Sequence, residues 1–233
     1  MNTIPALHVQ FEGLTSSFRH PLTISGGQIS TPMPAYSNIL GMISACAGHV
    51  VKPKDTKIGF EFHCKSYDHE IERSDRLMVD KKGHLKSHSE GQGIYSRQVY
   101  WKPRLDLYLT NTNLKNIFET PISTPCLGRS QDIAWIKFVR EIELQQKKNG
   151  KIGPTLLPNP KPGLPGLVFR LPEWIDNSKK GYTRKPGAFG MYQAMPSTID
   201  QRYSIERDNL YHPSDSDDAD HVIFLYQWLS TND

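Results

Sequence analysis

The chain has 233 residues, 37% of them hydrophobic, and a formal net charge of +4, which is ample apolar material for a core and argues against a disordered tail. Its longest apolar runs, residues 39–43 and 222–225, are too short to cross a bilayer, and the N-terminus lacks the zones of a signal peptide, so a cytoplasmic protein with no membrane contact is expected. Residues 200–233 hold eight of the 24 acidic residues and two of the 28 basic ones, leaving 26 basic against 16 acidic in residues 1–199, an excess that suits a polyanion because each cation set against a phosphate releases counterions.

Leu7, Val9 and Phe11 alternate with His8, Gln10 and Glu12, which predicts a half-buried strand. A polar loop over residues 13–34 follows, with Gly26 and Gly27 at its middle and Phe18 and Arg19 near its start. Ile39, Leu40, Ile43 and Ala47 then recur at helical spacing, and Gly48 stands where the helix should stop. Gly41 inside that helix costs stability against Ala, which predicts close packing onto the sheet. Ile58, Phe60, Phe62 and Cys64 give a second strand, and Leu105, Leu107 and Leu109 a third. The polar excursion between them is far above the usual connection length and reads as a β-hairpin. A short helix over residues 113–119 and a fourth strand over residues 133–144 complete the order strand, helix, strand, strand, helix, strand.

That order predicts an α+β protein with a ferredoxin-like β-α-β-β-α-β core, the scaffold also used by the RNA recognition motif. Residues 1–145 form this domain, with the hairpin inserted at about residues 70–100. Residues 146–166 contain Pro154, Pro158, Pro160, Pro162 and Pro165 and read as a linker or irregular arm. Residues 167–233 read as a β-rich C-terminal extension, with short strands near 167–171 and 222–228. The run Asp215, Ser216, Asp217 and Asp218 is expected in a solvated loop rather than a metal site. Cys46, Cys64 and Cys126 show no zinc-ligand spacing and read as neutral thiols. No phosphate loop, nucleotide fingerprint or catalytic triad is visible, so neither metal nor cofactor is expected.

Residues 81–104 carry Lys81, Lys82, Lys86, Arg97, Lys102 and Arg104 against one acid, Glu90, interleaved with His84, His88, Tyr95, Tyr100 and Trp101. Cations beside flat rings suit single-stranded RNA, where stacking one base is worth about 1–3 kcal/mol; a solvated hairpin is the equally weighted alternative. In the loop from Leu127 to Asp132, Gly128 lets backbone N–H groups approach a phosphate, and Arg129, beside Ser130, offers a fork of donors. Tyr36, Ser37 and Asn38 open the helix, where unpaired N–H groups favour an anion, although Ser37 or Asn38 serves equally well as a cap.

Together these residues resemble the Cas-five family of CRISPR-associated proteins, the RAMP-type subunit of type I Cascade. The resemblance rests on Val9-Gln10-Phe11-Glu12-Gly13, on Ser17-Phe18-Arg19, on the run from Thr31 to Ile43 with Pro34, Tyr36, Ser37 and Gly41, and on Leu127-Gly128-Arg129-Ser130-Gln131-Asp132. It covers about a quarter of the chain and is closest to the type I-B branch. It implies a ferredoxin-like core with a hairpin thumb that holds the 5′ handle of the CRISPR RNA. It also implies that the chain caps a backbone of Cas-seven subunits and helps seat the large Cas-eight-type subunit that reads target DNA at the PAM. Arg19, Tyr36, Ser37, Asn38, Gly128, Arg129 and Ser130 would then grip the handle. Lys81, Lys82, His84, Lys86, His88, Tyr95, Arg97 and Lys102 would reach over the RNA or a neighbouring subunit.

The chief rival is a metal-independent ribonuclease of the type I-C kind, with Tyr36, Lys86 and His84 or His88 doing the proton transfers. The adjacent Lys-His pair of that branch is missing, so no catalytic residue is expected. An RNA-recognition module outside CRISPR biology is weaker still, because Gly59-Phe60-Glu61-Phe62 only faintly echoes the module's aromatic signature.

Overall fold

The computed structural model describes residues 2–21, 29–176, 185–198 and 200–229, apart from the side chains of Ser74 and Glu90. Gly26, Gly27 and the Glu90 side chain, all named above, lie outside the described residues. β1 (Thr3–Gly13) leads to α1 (Tyr36–Ala47) and β2 (Ile58–His63), then to a hairpin of β3 (Ser66–Val79) and β4 (Leu85–Trp101). β5 (Arg104–Leu109), α2 (Lys115–Glu119) and β6 (Ala134–Ile152) follow. The C-terminal part supplies β7 (Leu156–Pro158), β8 (Leu167–Pro172), β9 (Phe189–Ala194), β10 (Tyr203–Pro213) and β11 (His221–Phe224). The described chain is mostly β, with two α-helices.

The main sheet runs β10-β11-β6-β1-β5-β2, and its inner pairs β6-β1, β1-β5 and β5-β2 are antiparallel. Register follows the alternation in the sequence. Leu7 faces Leu109, Val9 faces Leu107 and Phe11 faces Leu105, while Phe60 meets Leu107 from the other side. These residues are fully buried against Ile39, Ile43 and Cys46 of α1. Each such side chain contributes about 1.5–3 kcal/mol on burial, and a one-residue slip would turn the whole set to the opposite face. That opposite face is also covered: Ala6, Tyr108, Ile142 and Leu144 pack under Tyr211, Ile223 and Leu225. Gly48 ends α1 in the left-handed conformation, at φ 71°, which only glycine adopts without cost.

Two expectations are corrected here. Residues 146–152, expected in an irregular arm, instead continue β6, a strand of 19 residues rather than one ending near residue 144. Its first half pairs with β1 and its second half with β10, so the polar run from Gln145 to Lys151 is a strand exposed along most of its length. Gly41 does not pack closely on the sheet: it is exposed, and a Cβ built there would meet nothing within 4 Å. Asp215 lies in an exposed turn, as expected, but its carboxylate is engaged: it holds the buried His8 ring at 2.6 Å.

β10 and β11 complete the main sheet rather than hanging from it. Phe62 N–H donates to Pro154 O at 2.8 Å and Tyr226 N–H donates to Ile58 O at 2.8 Å, which satisfies backbone groups along the outer edge of β2 that an edge strand would leave open. A second sheet, β7-β9-β8, lies beside it. Tyr36 joins the two, its hydroxyl donating to Leu156 O at 2.8 Å and its ring stacked on Tyr226 at 4.1 Å.

Candidate nucleic-acid interface

Ser37, Asn38 and Gly41 of α1 face Gly128 across a cleft of about 330 Å³, with Phe18 and Cys126 also on its walls. The lining carries no charged side chain. The first turn of α1 has no acidic residue, so nothing there offsets the positive end of the helix dipole. Asn38 closes the turn, its Oδ1 accepting Ala35 N–H at 3.0 Å; it is a cap that also lines the cleft. Gly41 is the informative residue. A glycine inside a helix costs about 1 kcal/mol against alanine, and among the described residues no packing neighbour explains it.

Gly128 has a structural reason of its own. Its φ is +117°, and a Cβ would fall 2.0 Å from Ser17 O, so only glycine lets this loop cross the chain after β1. Leu127 O accepts Ser17 N–H at 3.2 Å in the same crossing.

Arg129, expected to offer its fork to a phosphate, is instead turned onto the protein. Its Nε and one terminal nitrogen donate to the two oxygens of Asp132, at 2.9 and 3.0 Å, and the other terminal nitrogen donates to Glu70 of β3 at 3.0 Å. The Asp132 side chain is fully buried and also accepts the Thr15 hydroxyl at 2.8 Å. The hydrogen bonds from Asp132 and Glu70 raise the Arg129 pKa further above its ordinary value, against the effect of burial. Arg129 is a strut between the glycine loop and the hairpin. Ser130 is exposed beside it.

Tyr36 is likewise removed from the surface. It is 1% exposed, and burial drives its hydroxyl pKa well up, so it presents no surface to a ligand. Ser37 is half-buried at the cleft. Arg19 is exposed in a two-residue strand, Phe18–Arg19, paired with Ser30–Thr31.

The hairpin forms as expected, but its charge differs. From Ser66 to Trp101 it carries six acidic and six basic residues. Asp68, Glu70 and Glu72 of β3 oppose Val99, Arg97 and Tyr95 of β4 near the base, and Arg97 is nearly buried, paired with Glu72 at 2.8 Å. Tyr95 accepts from Arg76 at 3.0 Å. Free cations gather at the tip, where Asp80 organises the turn by accepting the N–H groups of Lys82 and His84, each at 2.9 Å. Lys81 and Lys82 point outward there, while Lys86 returns to Asp80 at 3.1 Å. His88 is half-buried in β4. Lys102, beyond the hairpin, is exposed at φ 48°, its N–H bonded to Leu14 O at 2.8 Å.

Sequence reasoning missed two buried polar clusters behind the main sheet. His8 lies between Asp106, at 3.2 Å, and Asp215. Burial lowers its pKa, but the bonds to the two carboxylates outweigh that and raise it. Glu61 accepts Gly153 N–H and contacts His221, both at 3.0 Å, and the His221 ring continues to Ser216 at 2.8 Å. Burial would raise the Glu61 pKa, yet the bonds to His221 and His63 hold it far below the usual carboxylate range. The only sequence signal was polar residues at strand positions; the charged partners that His8 and Glu61 meet across the fold are 98 to 207 residues away.

No family model matches the chain, and no curated protein matches its sequence. Solved structures match its fold. A chain of a CRISPR RNA-guided surveillance complex aligns with a TM-score of 0.54 and 12% identity, over 85% of this chain and 91% of that one. The fold is shared with CRISPR proteins. A CRISPR protein from Archaeoglobus fulgidus, known from a crystal structure, aligns with a TM-score of 0.50 and 11% identity, over 96% of this chain and 100% of that one. At such identities the likeness is one of fold, and it meets the sequence resemblance at that level. Among the described residues no helix is long and apolar enough to cross a membrane.

Proposed function

We propose that the protein is a non-catalytic RNA-binding subunit of a CRISPR RNA-guided complex, of the Cas-five kind, that holds the 5′ handle of the CRISPR RNA. The reading takes β6-β1-β5-β2 with α1 and α2 as a ferredoxin-like core and the hairpin as its thumb. In it, the chain caps a backbone of Cas-seven subunits and helps seat a large Cas-eight-type subunit near the PAM. What carries the reading is the open cleft between Gly41 and Gly128 on a fold shared with a surveillance-complex chain.

The chemistry assigned to the cleft is modest and local. The acid-free first turn of α1, the Ser37 hydroxyl and the backbone of the Gly128 loop offer donors to a phosphate or a base edge. Arg19 and the tip lysines Lys81 and Lys82 add longer-range attraction. Tyr36, Gly128 and Arg129 support these surfaces from within. The burial of Tyr36 weighs against the ribonuclease alternative, which would use that tyrosine.

Gly41 tests the reading. Gly41→Ala removes the helical cost of glycine, so it should stabilise the fold by about 0.5–1 kcal/mol, while its methyl, projecting into the cleft, should weaken RNA binding measurably. Gly41→Phe should fill the cleft and weaken binding of a labelled repeat-derived handle at least tenfold, read by filter binding. Equal affinity of the Phe variant and the wild type would remove the cleft from the account. Incubation with repeat RNA in EDTA should give no specific scission; a discrete product would reverse the non-catalytic assignment.

A further inference from the structure

A second cavity lies on the far side of Tyr226, where β9, β10 and β11 meet. It has a volume of about 160 Å³, about five times a water molecule's share of liquid volume. That is too small for a cofactor or a nucleotide and large enough for one functional group.

Arg207 is the group that needs explanation. Its guanidinium sits 4.9 Å from the centroid of the Phe224 ring and is half-buried, and burial lowers its pKa. Among the described residues it makes no hydrogen bond and no ion pair. With only a ring face against it, a half-buried guanidinium keeps its five N–H donors unspent. The other partly or wholly buried arginines, Arg97 and Arg129, each hold carboxylates. Around Arg207 the cavity is lined by the amides Asn159, Asn209 and Gln227 together with the apolar Met191 and Leu229. The amides have capacity left. Gln227 spends one N–H on Asn209 Oδ1 at 2.9 Å, and a side-chain amide has two.

We propose that this cavity receives a single Asp or Glu side-chain carboxylate from a protein partner, clasped by the Arg207 fork and the neighbouring amides. The fork matches a carboxylate in two parallel hydrogen bonds. A protein rather than a nucleic acid is favoured by the surroundings. Residues 200–229 carry seven acidic residues and two basic ones, Arg202 and Arg207. A polyanion would bring its whole charge into that acidic segment, whereas a protein brings one carboxylate and can meet the rest with cations. The site is separate from the cleft at α1 and independent of the RNA reading.

The test is titration of the full ¹⁵N-labelled chain with N-acetyl-glutamate amide, with inorganic phosphate and with a short single-stranded RNA, following the Arg207 Nε–H resonance. The proposal expects a saturable shift with the glutamate probe, at least tenfold weaker in Arg207→Gln. Asn159→Gly, which keeps the left-handed turn at φ 52° while removing the amide, should weaken it several-fold with the fold unchanged. A saturable shift with phosphate or RNA but not with the carboxylate would overturn the choice of partner. Absence of a saturable shift with all three would overturn the site.

Discussion

Arg129 and Asp132 show how a residue's chemistry is fixed by what surrounds it. In the sequence Arg129 is a cation on a glycine turn, which suits a phosphate. In the fold it neutralises a fully buried carboxylate and ties it to Glu70, 59 residues away. That contact was illegible because nothing local in the sequence marks which strand of the hairpin will lie over the loop. Arg129→Ala should therefore cost about 3–5 kcal/mol, the usual penalty for stranding a buried charge, seen as a lower urea midpoint before any effect on RNA. The polar clusters predict a pH profile with two limbs. Glu61 has a depressed pKa, so its contribution is complete above its ordinary 4.5 and is lost as pH falls below it. His8 has a raised pKa, so its contribution is complete below 6.5 and fades as pH rises through the folded value. Thermal stability should be highest between roughly pH 4.5 and 6.5, and His8→Gln should flatten the upper limb; an unchanged upper limb in that variant would assign the slope elsewhere.

At the scale of elements, the period-2 runs of β1, β2 and β5 and the 3.6-residue pattern of α1 were legible because each has one apolar face. β6 was legible only in its first half, where Ile142 and Leu144 are buried. Its second half stands in the sheet by backbone pairing with β10 while its side chains stay polar, and no hydrophobic period records that. The hairpin was legible from its length, but its charge was not. Counting from residue 81 misses Asp68, Glu70, Glu72 and Asp75 on β3, which neutralise the strand pair. Its electrostatic reach is thus confined to the tip. If both tip lysines meet RNA phosphates, Lys81→Ala with Lys82→Ala should make the salt dependence of binding shallower by about 1.4 in log–log slope, at about 0.7 per phosphate. An unchanged slope would mean that the tip touches protein or solvent.

For the whole molecule, the C-terminal strands complete the packing rather than decorating it. β10 and β11 cover the second face of the main sheet, and the Tyr226 and Pro154 backbones close the edge of β2. A chain ending at residue 202 should consequently lose its near-ultraviolet circular dichroism and bind a hydrophobic dye. The central claim, that the cleft between α1 and the Gly128 loop holds the handle of a guide RNA, is tested most directly by crosslinking. With 4-thiouridine placed along the handle of the assembled complex, the account predicts crosslinks to this chain within residues 37–42 and 126–130. Crosslinks that leave this chain unmarked and fall on another subunit would contradict it.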